Sequence, residues 1–174
     1  MTLRLVLIRH AKSDWGDPTL PDHARPLNRR GRRDAPRMGV WIAAQGAVPA
    51  RVLCSDAVRT RETLALMLPA WSPAPEVEHR AALYHATPEA MVSLLEAEAT
   101  ASPLALVGHN PGLGQLAARL ARRAPDHARW HDYPTCAVAV LDFAMADWSA
   151  LRDGQGRVHA FAVPADLPRE GRPR

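Results

Sequence analysis

Lysine is almost absent from this chain. Lys12 is the only one, and arginine carries the rest of the positive charge behind a formal net charge of +4. Aromatic residues are also sparse, at 5% of 174 positions. Nucleic-acid surfaces cluster basic charge and interleave it with stacking rings. Here the arginines are scattered and no nucleic-acid motif occurs, so the charge reads as a solvated basic surface with no nucleic-acid partner. Cysteine is scarce too. Cys54 and Cys136 lie in apolar stretches, "ARVLCSD" and "PTCAVAVLDF", without zinc-ligand spacing, and read as reduced core thiols. No run of about 18 uncharged apolar residues occurs, which leaves no helical membrane span. The N-terminus sets Arg4 and Arg9 around a short apolar run with no small-residue cleavage site, so a cytoplasmic protein is expected. Internal repeats and a dividing linker are lacking as well, and the length suits a single domain.

What is present is a core-forming pattern. Apolar residues make up 47% of the chain, and short apolar runs alternate with helical ones. "LRLVLI" reads as a first strand. Asn28 can cap a helix that runs to about Gln45 and stops at Gly46. Pro36 falls inside it and is expected to kink it or delay its start. "ARVLCS" is a second strand, "DAVRTRETLALML" a second helix and "PEVEH" a weak third strand. "TPEAMVSLLEAEA" is a helix with Thr87 as cap and Pro88 at its first position. "PLALVG" is apolar throughout, as a central parallel strand is, and "PGLGQLAARLARR" is the next helix. "CAVAVLDF" and "RVHAFAV" close the sheet. The expected fold is an α/β three-layer sandwich: a mostly parallel central sheet with helices on both faces. Residues 1–163 form its one domain, and residues 164–174 are expected to be a flexible tail.

Open parallel sheets bind ligands beyond the carboxyl ends of their strands. Three strands end there in residues a core would not choose. Strand one ends in Arg9 and His10. Strand two ends in Ser55 and Asp56, with Arg59 a turn into the next helix. Strand four ends in "GHNPG", with His109. The fold would gather two arginines, two histidines and a helix N-terminus at one edge. Arginine offers a planar fork of donors that fits phosphate oxygens, and a helix N-terminus favours anions. A neutral histidine among such charges can attack phosphorus. With arginines supplying the positive charge, neither metal nor cofactor is required.

These residues resemble a known family, the histidine phosphatase superfamily, branch 1, which is phosphoglycerate-mutase-like. The chain looks like its small SixA-type phosphohistidine phosphatases. "LVLIRHAKSDW" resembles the signature strand with its Arg-His-Gly motif, and "RPLNRRGRRDA" the helix start that follows. "CSDAVRTRETL" resembles the Ser-x-x-x-Arg-x-x-x-Thr segment through Ser55, Arg59 and Thr63, and "LVGHNPGL" the second-histidine motif. The resemblance implies that His10 accepts the phosphoryl group, that Arg9 and Arg59 bind phosphate, and that His109 completes the pocket.

The chain departs from the family pattern at three places. Ala11 replaces the motif glycine. Gly16 stands where many members carry a phosphate-binding asparagine. The glutamate that often acts as general acid after the third strand is missing from "ALYHATPE"; Asp14, Asp17, Asp22 and Glu89 are the carboxylates that could substitute. A leaving group that needs little acid help, such as phosphohistidine, fits this pattern. So does the short chain, which leaves little room for a covering insertion and suits a protein-borne phosphoryl group. The alternatives are a small-metabolite phosphatase or mutase of the same family, and a non-catalytic module that binds phosphorylated ligands. A dinucleotide-binding domain is excluded because no G-x-G-x-x-G follows strand one.

Overall fold

A computed structural model describes residues 1–168 of the chain. Six strands form one sheet in the order β3-β2-β4-β1-β5-β6: β1 (Leu3–Arg9), β2 (Arg51–Ser55), β3 (Glu76–Arg80), β4 (Leu104–Gly108), β5 (Val138–Phe143) and β6 (Arg157–Ala162). β3, β2, β4 and β1 run parallel, and β5 pairs antiparallel with both β1 and β6. The polar "EVEHR" strand forms one edge, while all five residues of β4 are buried at the centre.

Side chains alternate across the pleat, and this sorts the core into two layers. Leu5, Leu7, Leu53, Leu104 and Leu106 pack on one face with Leu95 of α3 (Pro88–Glu98) and Leu113 and Leu116 of α4 (Gly112–Leu120). Val6, Ile8, Val52, Ala105 and Val107 pack on the other with Met38 and Ile42 of α1 (Arg29–Ala44) and Leu64 and Met67 of α2 (Val58–Met67). The three-layer sandwich expected from the alternation of elements is therefore the one observed. Cys54 and Cys136 are free and buried, and burial pushes the Cys54 thiol up to about 12.

Two expectations need correction. Pro36 does not delay the start of α1. The helix starts at Arg29, directly after Asn28, whose side chain accepts from the Gly31 amide, and it continues through Pro36 to Ala44. A proline removes one backbone donor; here the flanking Ala35 and Met38 remain buried against the sheet. The tail does not begin at residue 164. Pro164–Asp166 form a 3-10 turn, Leu167 packs on the core, and Arg37 donates to the carbonyls of Leu167 and Pro168. The rest of the expected flexible tail, 169–174, lies outside the described residues.

Strand register aligns the chemically unusual ends. Arg9 lies opposite Gly108, and Cys54 opposite Val107. One step further, the His10 amide donates to the Gly108 carbonyl at 3.1 Å, so the residues that follow β1, β2 and β4 emerge side by side.

Candidate active site

The structure brings Arg9, His10, Arg59 and His109 together. His10 is 7% exposed, and its Nδ1 lies 2.7 Å from the Ala11 carbonyl. A carbonyl only accepts, so Nδ1 carries the proton and the neutral ring keeps its lone pair on Nε2. Burial pushes the His10 imidazole down to about 3; the Ala11 hydrogen bond opposes it as the next largest effect, and Arg59 and then Arg9 add smaller pushes downward. The His109 ring is 5.3 Å from that of His10, centroid to centroid. Burial, then the neighbouring His10, Arg59 and His85, push His109 down to about 3 as well. Both rings are therefore neutral over the ordinary pH range.

The motif side chains that do not face the cleft lock it together. Ser55 Oγ lies 2.7 Å from His109 Nε2. Thr63 Oγ1 accepts from the Ala11 amide at 2.9 Å and donates to the Arg59 carbonyl at 2.6 Å, tying the His10 loop to α2. Arg9 Nη1 donates to the Tyr133 carbonyl at 2.9 Å. Tyr133, whose backbone is left-handed at φ 44, donates its hydroxyl to the Leu7 carbonyl at 2.8 Å. Two groups in the cleft are left over: Arg9 Nε and His109 Nδ1 are buried without a protein partner. An unsatisfied buried polar group costs on the order of 1–3 kcal/mol, and anionic oxygens would satisfy the arginine donor.

Arg59 is 4% exposed and is held on two sides by Asp22. Its Nη1 donates to the Asp22 carbonyl at 2.7 Å and its Nη2 to Asp22 Oδ2 at 3.0 Å. Tyr84 donates its hydroxyl to the same Oδ2 at 2.5 Å. The Tyr84 bond and then Arg59 hold the Asp22 carboxyl below the usual carboxylate range. Asp22 is thus the one candidate carboxylate that meets the cluster, and it meets it ionised. The others are engaged elsewhere. Asp14 accepts from the Gly16 amide, Asp17 from Thr19, and Glu89 from Arg119.

Tyr84 and His85 were not singled out from the sequence. "ALYHATPE" was read only for its missing glutamate, although a histidine beside a tyrosine just before a capped helix is itself a signal. His85 has a left-handed backbone, φ 51, and stacks on Tyr84 at 4.1 Å. Its ring centroid is 5.3 Å from that of His109. α4 fixes this loop, because a Cβ on Gly112 would collide with the Ala86 carbonyl oxygen. Among the described residues, no group of three His, Cys, Asp or Glu side chains is placed to hold a metal ion, and no helix is long and apolar enough to cross a membrane.

Comparison with known proteins bears on the family and the fold. Residues 5–86 match the model of the histidine phosphatase superfamily (branch 1). An uncharacterised Mycobacterium tuberculosis protein is 34% identical over 163 residues, covering 90% of this chain and 99% of that one. A chloroplast protein of Arabidopsis thaliana is 48% identical over 64 residues, 37% of this chain, and the match spans only 29% of that protein's length. The structure of a protein named phosphohistidine phosphatase SixA, from Nakamurella multipartitia, superposes with a TM-score of 0.78 at 26% identity, covering 94% of this chain and 97% of the other. A mycobacterial glucosyl-3-phosphoglycerate phosphatase shares the fold at 16% identity and a TM-score of 0.60, over 91% and 97% of the two chains. Family match, near full-length relatives and a shared sandwich coincide on one assignment: the chain belongs to branch 1 of the histidine phosphatase superfamily, is of the SixA type, and is a phosphatase.

Proposed function

We propose that the protein hydrolyses phosphoryl compounds without a metal ion, through a covalent phosphohistidine on His10. The observation that carries this is the His10 ring, buried and hydrogen-bonded through Nδ1 so that Nε2 is the free nucleophile. Arg9 and Arg59 supply the positive charge around it and hold the phosphoryl oxygens during transfer. His109 completes the pocket. Attack by Nε2 forms the P–N bond as the leaving group departs; water then attacks phosphorus, breaks the P–N bond and releases phosphate.

The substrate class we infer is a protein-borne phosphoryl group, with phosphohistidine first. Its support is the open mouth. The side chains of Asp22 and His85 at the rim are 40% and 55% exposed, and the chain between α2 and β4 is spent on β3, short turns and α3. A site that does not close suits a bulky substrate, whereas a lid suits a small metabolite.

Two measurements test this. Wild type should hydrolyse 4-nitrophenyl phosphate in EDTA, and rapid quench should trap an acid-labile, alkali-stable phosphoenzyme; His10→Ala should show neither. EDTA inhibition restored by a divalent ion would overturn the metal-free chemistry. A phosphohistidine protein should then be turned over faster than small sugar phosphates. The reverse order would favour a small-metabolite phosphatase.

A further inference from the structure

We propose that His85 is the proton donor to the leaving group, held for that task by Asp22. The inference rests on the phosphoenzyme chemistry proposed for His10. Arg9 and Arg59 engage the phosphoryl oxygens, so the departing atom must point away from His10, toward the mouth. The side chains collected at that rim are Asp22, Tyr84 and His85; His23, edge-on to Tyr84, is paired with Asp56 at 2.8 Å. Asp22 is ionised and has no proton to give. Burial and the Asp22 bond hold the Tyr84 phenol above its ordinary range, and its proton is already donated to Asp22. His85 is left, and imidazole is the side chain best suited to give and regain a proton near neutrality.

Geometry supports the assignment. His85 Nε2 is 3.5 Å from Asp22 Oδ2 and 3.4 Å from Arg59 Nη2. The ring is thus shared between a carboxylate that can accept from it and a guanidinium that can donate to it. In the free site Arg59 can donate to the neutral ring. Once Arg59 turns its donors to phosphate, that bond is released and Asp22 remains as partner of the imidazolium. The charged and titratable groups that face His85 are Asp22 from the 3-10 turn Asp22–Ala24, Arg59 from α2, Tyr84 beside it and His109 after β4. The backbone reinforces the placement. A left-handed φ of 51 is uncommon for histidine, and the ring it projects is stacked on Tyr84 rather than loose in solvent.

The step balances. As His10 Nε2 forms its bond to phosphorus, the bond to the leaving oxygen breaks, and the His85 imidazolium passes its proton to that oxygen. In the second half neutral His85 takes a proton from the attacking water while the P–N bond breaks. The same proton can serve a departing imidazole nitrogen, so the chemistry extends from phosphohistidine to esters. With a donor present, lability no longer selects the substrate, and the preference for a protein-borne phosphoryl group rests on the open mouth alone.

The test is a leaving-group series of aryl phosphates, read as kcat/KM, which reports phosphorylation of His10. His85→Asn tolerates the left-handed backbone and cannot donate a proton as an acid. Its loss should be below about fivefold on 4-nitrophenyl phosphate and on the order of 100-fold on phenyl phosphate. Both proteins should still form the phosphoenzyme. An equal loss across the series, with the phosphoenzyme still trapped, would overturn His85 as donor and leave the phosphatase reading intact. A wild type that forms no phosphoenzyme from any member would overturn both.

Discussion

Arg59 is the residue on which most of the cleft's charge turns. Its guanidinium is buried, yet its protein partners, Asp22 and His85, lie at the open side of the site. A phosphate that enters meets a fork already oriented. Removing that fork should act on the transition state, where the transferred group spreads charge over its oxygens. Arg59→Ala is expected to lose about 3–4 kcal/mol of transition-state stabilisation, by the scale of lost oxyanion donors. Measured as kcat/KM on 4-nitrophenyl phosphate, that is a loss of several hundredfold; less than tenfold would place Arg59 outside the phosphate clamp. Arg59→Lys keeps the charge but loses the planar fork, so it should recover only part of the loss. After the Tyr84 hydrogen bond, the same residue helps hold the Asp22 carboxyl low, so that Asp22 serves as a partner rather than an acid.

At the scale of elements, the site depends on helices pressed against loops without side chains between them. A Cβ on Gly31 would strike the Lys12 carbonyl, and one on Gly112 would strike that of Ala86. The first contact seats α1 on the loop after His10; the second seats α4 on the loop that carries His85. Gly112→Ala should therefore force the 84–87 loop to shift, destabilising the fold by about 1–3 kcal/mol. Urea unfolding would check this, and an unchanged midpoint would show that the loop gives freely. These contacts also explain what the sequence disclosed. Strand ends and caps were legible because periodicity places them on known elements, and the motif residues Ser55, Arg59 and Thr63 through the resemblance to the family's Ser-x-x-x-Arg-x-x-x-Thr segment. Arg9, His10, Arg59 and His109 could be named because parallel register brings strand ends together. Tyr84, His85 and Tyr133 could not. They sit on aperiodic backbone, two of them at positive φ, where no repeat says which way a side chain points. Asp22 could be named only as one of four carboxylates, because its position depends on a 3-10 turn packed against α2 rather than on anything in its own neighbourhood.

For the molecule as a whole, a site built from buried neutral histidines makes stability depend on pH. His10 and His109 are both held near 3 when folded, well below the ordinary histidine value of about 6.5. Between those values the unfolded chain binds more protons than the folded one. Stability is therefore complete above about pH 6.5 and is lost as pH falls through the window toward 3. Two such groups set a limiting slope of about 2.7 kcal/mol per pH unit, since each proton contributes about 1.36. Asp142 adds to this at the acid end. Burial opposes its ionisation, but hydrogen bonds from Arg4 at 2.7 and 3.0 Å outweigh it and hold the carboxyl low. Its contribution is present above the ordinary aspartate range and lost as pH falls through its folded value. Both effects have the same sign, so the melting temperature should fall steeply from pH 6.5 to pH 4.5 in phosphate-free buffer. His10→Asn/His109→Asn should flatten the upper part of that fall, because amides do not titrate, and should leave the Asp142 part in place. A wild-type melting temperature unchanged down to pH 4.5 would contradict the neutral, desolvated state of the two rings.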